Sequence, residues 1–337
     1  MSKKTVNAWA IKEKGKSLEP FTYELPSIGL DQVDLKVLYC GICHSDLSMM
    51  QNDWGNTTYP LVPGHEVVGE VIDLGSQVKN LKVGDKVGLG WMAGSCMHCD
   101  QCMSGSHNLC SSLEQTIVGR HGGFADLVRC HWSWAIPIPK NLDLSKAGPL
   151  FCGGITVFNP IDMVNVKPTA KVGVIGIGGL GHLALKFLKS WGCEVTAFSS
   201  NPNKSEEIKA MGAHHIVDSR NSKAMIKIKG SLDFILNTTN VSLDWEAYIQ
   251  ALAPKGTLHH VGAVLEPMAI GAFSLIGGEK KISGSPLGSP ALNRLMLDFC
   301  ERHNILPTVE EFPMKNVNQA IEHLHSGKAR YRVVLKN

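Results

Sequence analysis

The sequence has no apolar segment long enough to span a bilayer and no long run of lysine or arginine. Its first residues, Met1–Asn7, lack the apolar stretch and the small-residue cleavage site of a secretory signal. A membrane helix needs about 20 apolar residues, and a nucleic-acid groove needs clustered positive charge. From the missing signal and spanning segments we expect a cytoplasmic protein. Because the net charge is only +3 and the basic residues are scattered, we also expect that it binds neither a membrane nor nucleic acid.

Disorder and a disulfide framework are also poorly supported. The chain is 44% hydrophobic and 19% charged, which is typical of a folded protein. Its 337 residues exceed the size, about 250–300 residues, at which a single core stops growing, so we predict two domains. Four of the ten cysteines fall within fifteen residues, and this clustering favours metal ligation in a reducing compartment over disulfides.

The periodicity of the sequence changes near Cys152. Short segments such as Val33–Tyr39 and Val67–Ile72, bounded by turn residues, indicate a β-rich first half. From Lys171 onward, apolar runs alternate with helical patterns, which predicts a parallel sheet buried on both faces. The predicted elements are strands at Val172–Ile177, Glu194–Ser199, Ile216–Val217, Phe234–Leu236 and Thr257–Val261, helices ending at Lys189 and covering Lys204–Met211, an amphipathic helix with Val317, Ala320, Ile321 and Leu324, and a closing strand Tyr331–Leu335.

A glycine-rich loop follows the first predicted strand of that sheet and precedes a helix. Gly176, Gly178 and Gly181 give the pattern GxGxxG, and the same loop contains Ile177, Gly179 and Leu180. Gly176 permits a tight turn, Gly178 lets the backbone approach a pyrophosphate, and Gly181 allows close helix packing. The order strand, loop, helix predicts a Rossmann-type dinucleotide site instead of a turn without a ligand.

The next strand lacks the acidic residue that usually follows it in an NAD site. Phe198 is followed by Ser199, Ser200 and Asn201, with Lys204 shortly after. An acid there accepts hydrogen bonds from the ribose hydroxyls of NAD but repels the 2′-phosphate of NADP, whereas hydroxyl, amide and lysine donors suit that phosphate. We therefore predict a preference for NADPH. The alternative is that the two serines only cap the following helix.

The clustered cysteines have the spacing of a metal site. Cys96, Cys99, Cys102 and Cys110 form the pattern CxxCxxCx7C. Four thiolates in one short lobe can close a tetrahedral shell around zinc. An iron–sulfur cluster is the competing hypothesis because it uses the same ligands. His98 lies inside the lobe and is interpreted as a bystander.

Cys43, His65 and Cys152 form a second candidate metal site. Taken singly, each is more often a packing residue than a ligand. Taken together, two cysteines and a histidine with one open position fit a catalytic zinc, which acts as a Lewis acid on a carbonyl or alkoxide oxygen.

In combination, these motifs resemble the zinc-containing medium-chain dehydrogenases, in particular the cinnamyl-alcohol-dehydrogenase-like branch and the bacterial NADPH-dependent aldehyde reductases. Besides the cysteine lobe, the resemblance is carried by GICHSD at Gly41, PGHE at Pro63, LFCGGIT at Leu150, GIGGLG at Gly176, SSNPNK at Ser199 and KARYRVVL at Lys328. It implies an α/β fold with a GroES-like catalytic domain, residues 1–152 and 288–337, whose structural zinc lobe spans about 91–111. A Rossmann domain, residues 153–287, completes the fold, with the active site in the interdomain cleft.

By this resemblance Cys43, His65 and Cys152 hold the catalytic zinc. Glu66 is implied either as an alternative fourth ligand or as a charge beside Arg330. The four clustered cysteines hold a structural zinc, so that each chain has two zinc ions. The implied reaction moves a hydride between the nicotinamide C4 of NADP(H) and a small aldehyde or alcohol, in an enzyme expected to be a homodimer, with a tetramer as the alternative.

The resemblance also implies roles for the neighbours of these ligands. Asp46 orients the ligand histidine, Ser45 passes a proton, and His44 approaches the cofactor pyrophosphate. Relatives often carry a histidine where this chain has Ser48, so the outer end of the proton route is open between Ser48 with water and His44. Further cofactor contacts are implied at Thr156, Thr238, Gly262, Ser285, Pro286, Leu287 and Arg330.

Two hypotheses from other classes remain open at this level. One is a zinc-free relative such as a quinone reductase, against which the three ligands argue, and the other is a zinc-ribbon interaction module. Trp54 and Trp91 are interpreted either as lining a substrate pocket or as packing residues. Free thiols are predicted at Cys40, Cys130, Cys193 and Cys300, and no site is predicted around His107, His121, His131, His214, His215, His259 and His260.

Overall fold

The computed structural model describes residues 3–337, except for the side chain of Pro202, so Met1 and Ser2 of the N-terminal segment lie outside the described residues. Within that range no helix combines the length and the apolar character needed to cross a membrane. The chain divides into two compact units. The first unit is Met1–Ile155 with Leu287–Asn337, and the second unit is Thr156–Pro286.

Strands and helices occur in both units. In chain order the strands are β1 Lys4–Ala10, β2 Glu19–Leu25, β3 Gln32–Ile42, β4 Glu66–Leu74, β5 Lys86–Leu89, β6 Met92–Gly94, β7 Glu114–Gln115, β8 Leu127–His131, β9 Ile136–Pro137, β10 Lys171–Ile175, β11 Glu194–Phe198, β12 His215–Val217, β13 Leu232–Asn237, β14 Leu252–His260, β15 Lys281–Gly284, β16 Val309–Pro313 and β17 Arg332–Lys336. The α-helices are α1 His44–Met50, α2 Asp100–Met103, α3 Leu144–Ala147, α4 Gly153–Met163, α5 Gly181–Trp191, α6 Ser205–Ala210, α7 Ser222–Lys227, α8 Trp245–Ala251, α9 Ala272–Ile276, α10 Pro290–His303 and α11 Val317–His325.

The first unit is built around a mainly antiparallel sheet with the strand order β16-β17-β3-β4-β5-β9, to which β8 adds by pairing with β3. The central strand β3 places Gly41 opposite Glu66 of β4 on one side and opposite Val334 of β17 on the other. Three segments that are far apart in sequence therefore meet at the end of β3. The apolar side chains of these strands form one buried core, which fixes the register.

The second unit is a six-stranded sheet with the order β12-β11-β10-β13-β14-β15, in which every pair is parallel. Helix α5, between β10 and β11, buries Leu183, Leu185, Phe187 and Leu188, as expected for a helix packed on a sheet. The sheet confirms the parallel arrangement predicted from alternating apolar runs and helical patterns. The glycine-rich loop, residues 176–181, follows the carboxyl end of β10. Residues 199–204, named here the Ser199 segment, follow the carboxyl end of β11.

Most predicted elements are present with shifted ends. The strand predicted at Val172–Ile177 ends at Ile175, because Gly176 has a φ of +85°, outside the extended region. The helix predicted at Lys204–Met211 begins as a 3-10 turn at Pro202–Lys204 and continues as α6. The amphipathic helix and the closing strand are α11 and β17.

Candidate active site and cofactor site

The first unit brings together Cys43, His65, Glu66 and Cys152, named here the buried cluster. One donor atom from each of these side chains lies within 4.8 Å of the others, and all four residues are buried. Cys43 follows β3 and precedes α1, the adjacent residues His65 and Glu66 lead into β4, and Cys152 precedes α4. The structure therefore assembles all the residues predicted to ligate the catalytic metal.

The spacing of the donor atoms fits a tetrahedral zinc ion. Thiolates about 2.3 Å from a tetrahedral centre lie about 3.8 Å from one another, and the sulfurs of Cys43 and Cys152 are 3.8 Å apart. The Nε2 atom of His65 is 3.3 Å from the Cys152 sulfur, close to the ~3.6 Å expected for a zinc-bound imidazole and thiolate. The donor set and its geometry thus fit zinc.

Asp46 holds the buried cluster in place. It is fully buried, and its Oδ1 accepts hydrogen bonds from the backbone N–H of Gly64 at 2.8 Å and from Nδ1 of His65 at 2.9 Å. Its Oδ2 accepts the backbone N–H of Cys43 at 2.9 Å. Because Nδ1 is engaged with Asp46, Nε2 is the ring nitrogen that faces the sulfurs, the arrangement in which an outer carboxylate orients a ligand histidine.

The arginine beside Glu66 is Arg332, which corrects the predicted pairing with Arg330. Arg332 lies at the start of β17, is 4% exposed, and donates a hydrogen bond from NH2 to Oε1 of Glu66. Arg330 is exposed, and its backbone N–H donates to Glu310 at 3.2 Å. Oε2 of Glu66 is buried and has no hydrogen-bond partner within residues 3–337, as expected of an oxygen available to a metal.

Burial and the close approach of the donor groups shift the pKa values of the buried cluster. The hydrogen bond between the two sulfurs lowers the pKa of Cys43 well below its ordinary value and raises the pKa of Cys152 well above it. Burial raises the pKa of Glu66 to about 7, although the positive charge of Arg332 opposes that rise. Burial lowers the pKa of His65, but Asp46 outweighs it and the net shift is upward. A cation bound at these donors would favour the deprotonated form of both thiols.

Ser45 and two tryptophans surround the buried cluster. The half-buried Ser45 hydroxyl, in the first turn of α1, is 3.8 Å from the Cys43 sulfur. Trp91 meets the His65 ring edge to face, with ring centroids 4.9 Å apart, and Trp54 meets Trp91 in the same way at 5.8 Å. Trp54 is 38% exposed. The two tryptophans therefore extend from the buried cluster to a partly exposed ring. Trp91 also packs against the hydrophobic core, so the pocket and packing interpretations both stay open.

Cys96, Cys99, Cys102 and Cys110, named here the cysteine cluster, also converge within 4.8 Å. The Cys96 sulfur lies 3.9 Å from that of Cys102 and 3.5 Å from that of Cys110. These separations are near the ~3.8 Å edge of a tetrahedral zinc site. An iron–sulfur cluster, which interposes several atoms between its thiolates, would hold some of them farther apart, so the geometry favours a single ion.

Backbone donors stabilise the cysteine cluster. The N–H of Cys99 donates to the Cys96 sulfur at 3.3 Å. Together with the backbone N–H of His98, this bond lowers the pKa of Cys96 to about 6, whereas burial raises the pKa of Cys102 to about 12. The exposed His98 ring contacts the carbonyl oxygen of Cys96 at 2.6 Å through Nδ1. It lies outside the four sulfurs, which agrees with its interpretation as a bystander.

The glycine-rich loop of the second unit is closely packed at Gly176 and Gly181 and open at Gly178. A Cβ at Gly176 would lie 2.3 Å from the side chain of Thr239, and one at Gly181 would lie 2.0 Å from the Gly176 carbonyl oxygen. A Cβ at Gly178 would meet nothing within 4 Å. The hydroxyl of Thr238 lies 2.8 Å from the carbonyl oxygen of Ile175 and 2.6 Å from that of Gly176, and its one hydrogen, donated to these oxygens, ties Thr238 to the loop.

The Ser199 segment begins at the carboxyl end of β11, where the Ser199 N–H donates to the Val217 carbonyl at 3.0 Å. Ser199 Oγ accepts the Asn201 N–H at 3.4 Å, and neither serine caps α6, whose N-cap is Lys204 without a side-chain bond. In the part of the chain that the structure describes, Lys204 forms no ion pair. The hydroxyls and this ammonium are thus available to a ligand.

The remaining predicted cofactor contacts lie in several places. Thr156 is 8% exposed at the start of the second unit, and the Gly262 backbone packs against Thr239. Asn159 donates to the Pro286 carbonyl at 2.9 Å, and Asn108 donates to the Leu287 carbonyl at 2.8 Å. His44, in the first unit, is exposed. Their proposed contact with a dinucleotide stays a prediction.

His259 has a hydrogen-bonded setting that the sequence did not suggest. Its ring is fully buried, with Nδ1 2.8 Å from the Ser283 hydroxyl and Nε2 3.0 Å from the Ser285 hydroxyl. Burial lowers the pKa of His259 to about 4, so the ring is neutral near pH 7. The four cysteines predicted as free thiols, Cys40, Cys130, Cys193 and Cys300, are free and buried.

Two family models match the chain. The alcohol dehydrogenase GroES-like domain matches residues 29–140, and the zinc-binding dehydrogenase model matches residues 179–302. An aldehyde reductase from Synechocystis sp. is 54% identical over 332 residues, covering 98% of this chain and 99% of that protein. Cinnamyl alcohol dehydrogenase 7 from Arabidopsis thaliana is 41% identical over 335 residues, covering 97% and 94%.

Solved structures agree with these matches. A cinnamyl alcohol dehydrogenase from Sorghum bicolor superposes with a TM-score of 0.94 at 37% identity, covering 99% of this chain and 98% of that one. A cinnamyl alcohol dehydrogenase from Helicobacter pylori, in complex with NADP(H), has a TM-score of 0.90 at 31% identity and 99% coverage of both chains. This chain therefore belongs to the zinc-containing medium-chain alcohol dehydrogenases, in their cinnamyl-alcohol-dehydrogenase-like branch.

Membership of this family confirms the predicted fold class, a GroES-like domain with a Rossmann-like nucleotide-binding domain. Because the relatives match over nearly the whole chain, the zinc-ribbon interaction module has no support as an account of this protein. The zinc-free alternative conflicts with the complete donor set of the buried cluster.

Proposed function

We propose that this chain is a zinc-dependent oxidoreductase that reduces small aldehydes to primary alcohols with NADPH and catalyses the reverse oxidation with NADP. The observation that carries the proposal is the buried cluster, in which Cys43, His65, Glu66 and Cys152 offer donor atoms within 4.8 Å of one another. The names of the relatives, aldehyde reductase and cinnamyl alcohol dehydrogenase, support the same reaction class.

Cys43, His65 and Cys152 are proposed to hold the catalytic zinc, with Glu66 as the alternative fourth ligand. A zinc ion bound there supplies a Lewis acid for a carbonyl or alkoxide oxygen. The chain itself fixes the ligands: Asp46 orients His65, and Arg332 engages one oxygen of Glu66 while the other has no hydrogen-bond partner in the described range. This preorganisation is what makes a buried donor set selective for one geometry.

Ser45 is proposed to hold and release the proton that aldehyde reduction requires. Its hydroxyl lies 3.8 Å from the sulfur of Cys43, and the residue is half-buried in the first turn of α1. A hydroxyl positioned in this way can donate to the substrate oxygen as the alcohol forms. Beyond Ser45, the proton route passes through Ser48 with water or through His44.

The cysteine cluster is proposed to hold a structural zinc, giving two zinc ions per chain. Its four sulfurs leave no position open for a substrate, which is the character of a structural site. The N–H of Cys99 donates to the Cys96 sulfur and the N–H of Cys96 donates to the Cys110 sulfur, and such backbone donors stabilise thiolates. All ten cysteines are free, which fits a reducing compartment such as the cytoplasm.

NADPH is the proposed cofactor because no acidic residue directly follows β11. Ser199, Ser200, Asn201 and Lys204 stand there instead, and a related enzyme is described in complex with NADP(H). We propose that residues 153–287 form the nucleotide-binding domain, and that residues 1–152 with 288–337, including the lobe at about 91–111, form the catalytic domain. Further cofactor contacts are proposed at His44, Thr156, Thr238, Gly262, Ser285, Pro286, Leu287 and Arg330.

Trp54 and Trp91 are proposed to line the substrate pocket. Their edge-to-face chain begins at the ligand His65 and ends at a partly exposed ring. Apolar aromatic walls beside a few polar groups are typical of small-molecule sites. The pocket therefore suits the apolar part of an aldehyde.

A homodimer is the proposed assembly, with a tetramer as the alternative. β15 is an edge strand, paired on one side with β14 and with no second strand partner among residues 3–337. In the same unit Phe273, Leu265 and Ile276 are 87%, 76% and 67% exposed. An open sheet edge near exposed apolar side chains favours association of two copies, which light scattering can measure.

The direct test of the proposal is a substrate and cofactor panel. The zinc-loaded enzyme is assayed with aliphatic, aromatic and cinnamyl aldehydes, each with NADPH and with NADH. We expect reduction of at least one class, with kcat/KM for NADPH about tenfold or more above that for NADH. Equal or better use of NADH would contradict the cofactor proposal, and no reduction of any aldehyde would contradict the activity.

A further inference from the structure

Arg220 lies beside the segment proposed to bind the 2′-phosphate. Its NH2 group donates a 2.6 Å hydrogen bond to the carbonyl oxygen of Ser200. Arg220 comes after the next strand, twenty residues beyond Ser200, so the sequence motif at Ser199 does not include it. The parallel pairing of β11 with β12 brings the two segments together, because the carboxyl ends of both strands lie at the same edge of the sheet.

The backbone around Arg220 is held on both sides. The Arg220 N–H donates to Oδ1 of Asp218 at 3.0 Å. Asn221 caps α7 by accepting the N–H groups of Lys223 and Ala224, at 3.1 and 3.3 Å. The bond from its backbone N–H to Asp218 and the bond from its guanidinium to the Ser200 carbonyl oxygen thus restrain Arg220, although 71% of its side chain is exposed.

The guanidinium retains donors for a ligand. NH2 donates to the Ser200 carbonyl oxygen, and Nε lies 3.6 Å from Oδ1 of Asp218. NH1 has no hydrogen-bond partner in the part of the chain that the structure describes. A planar guanidinium binds phosphate oxygens well. The same charge offsets the Asp218 carboxylate, which would otherwise repel an anion at this edge.

We propose that Arg220 is a specificity-determining residue that binds the 2′-phosphate of NADPH, together with Ser199, Ser200 and Lys204. This inference rests on the proposed use of NADPH. The hydrogen bond to Ser200 fixes the guanidinium at the site, and loss of the side chain removes one phosphate contact and exposes the charge of Asp218. Binding of NADH, which has no 2′-phosphate, does not use the residue.

The test measures binding directly. Dissociation constants for NADPH and NADH are determined by calorimetry on the zinc-loaded wild type and on Arg220→Ala, Arg220→Lys and Lys223→Ala. Lys223→Ala removes an equal, exposed charge three residues away without touching Ser200. Thermal unfolding of each variant checks that the fold is kept, as we expect for exposed side chains.

For Arg220→Ala we expect the Kd for NADPH to rise about fivefold to tenfold, the range for one exposed charge-assisted contact, with the Kd for NADH changed less than twofold. Arg220→Lys should fall between wild type and Arg220→Ala, and Lys223→Ala should change neither Kd more than twofold. An equal effect of Arg220→Ala on both cofactors, or none on NADPH, would overturn the inference. If the wild-type enzyme binds NADH more tightly than NADPH, the cofactor proposal fails. The inference about Arg220 is judged separately, by whether Arg220→Ala weakens the binding of NADPH more than the binding of NADH.

Discussion

The two candidate metal sites of this chain are assembled in opposite ways. The cysteine cluster takes its four ligands from fifteen consecutive residues, and two of them, Cys96 and Cys99, are half-buried. The buried cluster takes its ligands from three segments, with Cys43 and Cys152 separated by 109 positions. A closed shell of like ligands can be specified by local spacing, whereas an open site with mixed ligands depends on the register of a whole sheet.

Their supporting contacts differ as well. Backbone N–H groups donate to the cysteine cluster, so its surroundings tolerate changes of side chain. Buried charged side chains, Asp46 and Arg332, support the buried cluster. Substitutions near the buried cluster should therefore affect chemistry, and substitutions in the cysteine cluster should affect mainly stability.

The largest expected effect is on Cys152→Ser. Loss of a catalytic ligand should lower kcat/KM for aldehyde reduction by about 10³-fold or more, with one zinc ion remaining per chain. Metal analysis and steady-state kinetics measure both quantities. Cys300→Ala, which removes another buried thiol of the same unit, should keep activity and both zinc ions, and an active Cys152→Ser enzyme would remove Cys152 from the site.

Ser45→Ala comes next. If Ser45 donates the proton, kcat should fall about 10²–10³-fold because the positioned acid is lost, while zinc content stays at two. Ser45→Thr keeps the hydroxyl and should recover most of the rate. Near-normal turnover of the alanine variant would place the proton route elsewhere, and the comparison with threonine separates a chemical role from packing.

Asp46→Asn tests the support of the buried cluster without changing a ligand. The amide matches the carboxylate in shape but loses the charge that orients His65. We expect zinc affinity of the buried cluster or kcat/KM to fall about 10–100-fold. Competition with a chelating dye measures the affinity, and unchanged affinity together with unchanged kinetics would show that Asp46 has only a packing role.

The smallest effect on chemistry is expected for Cys110→Ser. The cysteine cluster should lose its zinc, and Tm should fall by about 10 °C because the lobe loses its cross-link. The kcat of the molecules that remain folded should stay within about threefold of wild type. A loss of kcat as large as that of Cys152→Ser, with no loss of thermal stability, would reverse the roles given to the two clusters.

Sequence alone predicted the features that depend on local spacing. The four cysteines of the cysteine cluster converge, and the glycine-rich loop is closely packed at Gly176 and Gly181. Cys43, His65 and Cys152 also converge, but they are far apart in sequence and were predicted from their combination and from the family resemblance, not from local spacing. Turns and short lobes close within a few residues, so their patterns already contain most of the geometry. The alternation of strands and helices likewise predicted the parallel sheet of the second unit.

Contacts between residues on paired strands were harder to predict from the sequence. Arg330 and Arg332 both flank the start of the closing strand, and only the pairing of β17 with β3 decides that Arg332 reaches Glu66, 266 residues away. No sequence pattern indicated the hydrogen bonds of His259, because its partner Ser283 lies on the neighbouring strand and Ser285 directly follows that strand. Arg220 was missed for the same reason, since strand pairing and not sequence spacing brings it to Ser200.

The most direct test of the division between the two clusters follows zinc and activity together during chelation. Zinc per chain, aldehyde reduction with NADPH and Tm are recorded at each step, for wild type and for Cys110→Ser. We predict two zinc ions in wild type and one in Cys110→Ser, with activity that follows the zinc of the buried cluster alone. Iron with acid-labile sulfide in place of zinc, or reduction that persists after all zinc is removed, would contradict the account.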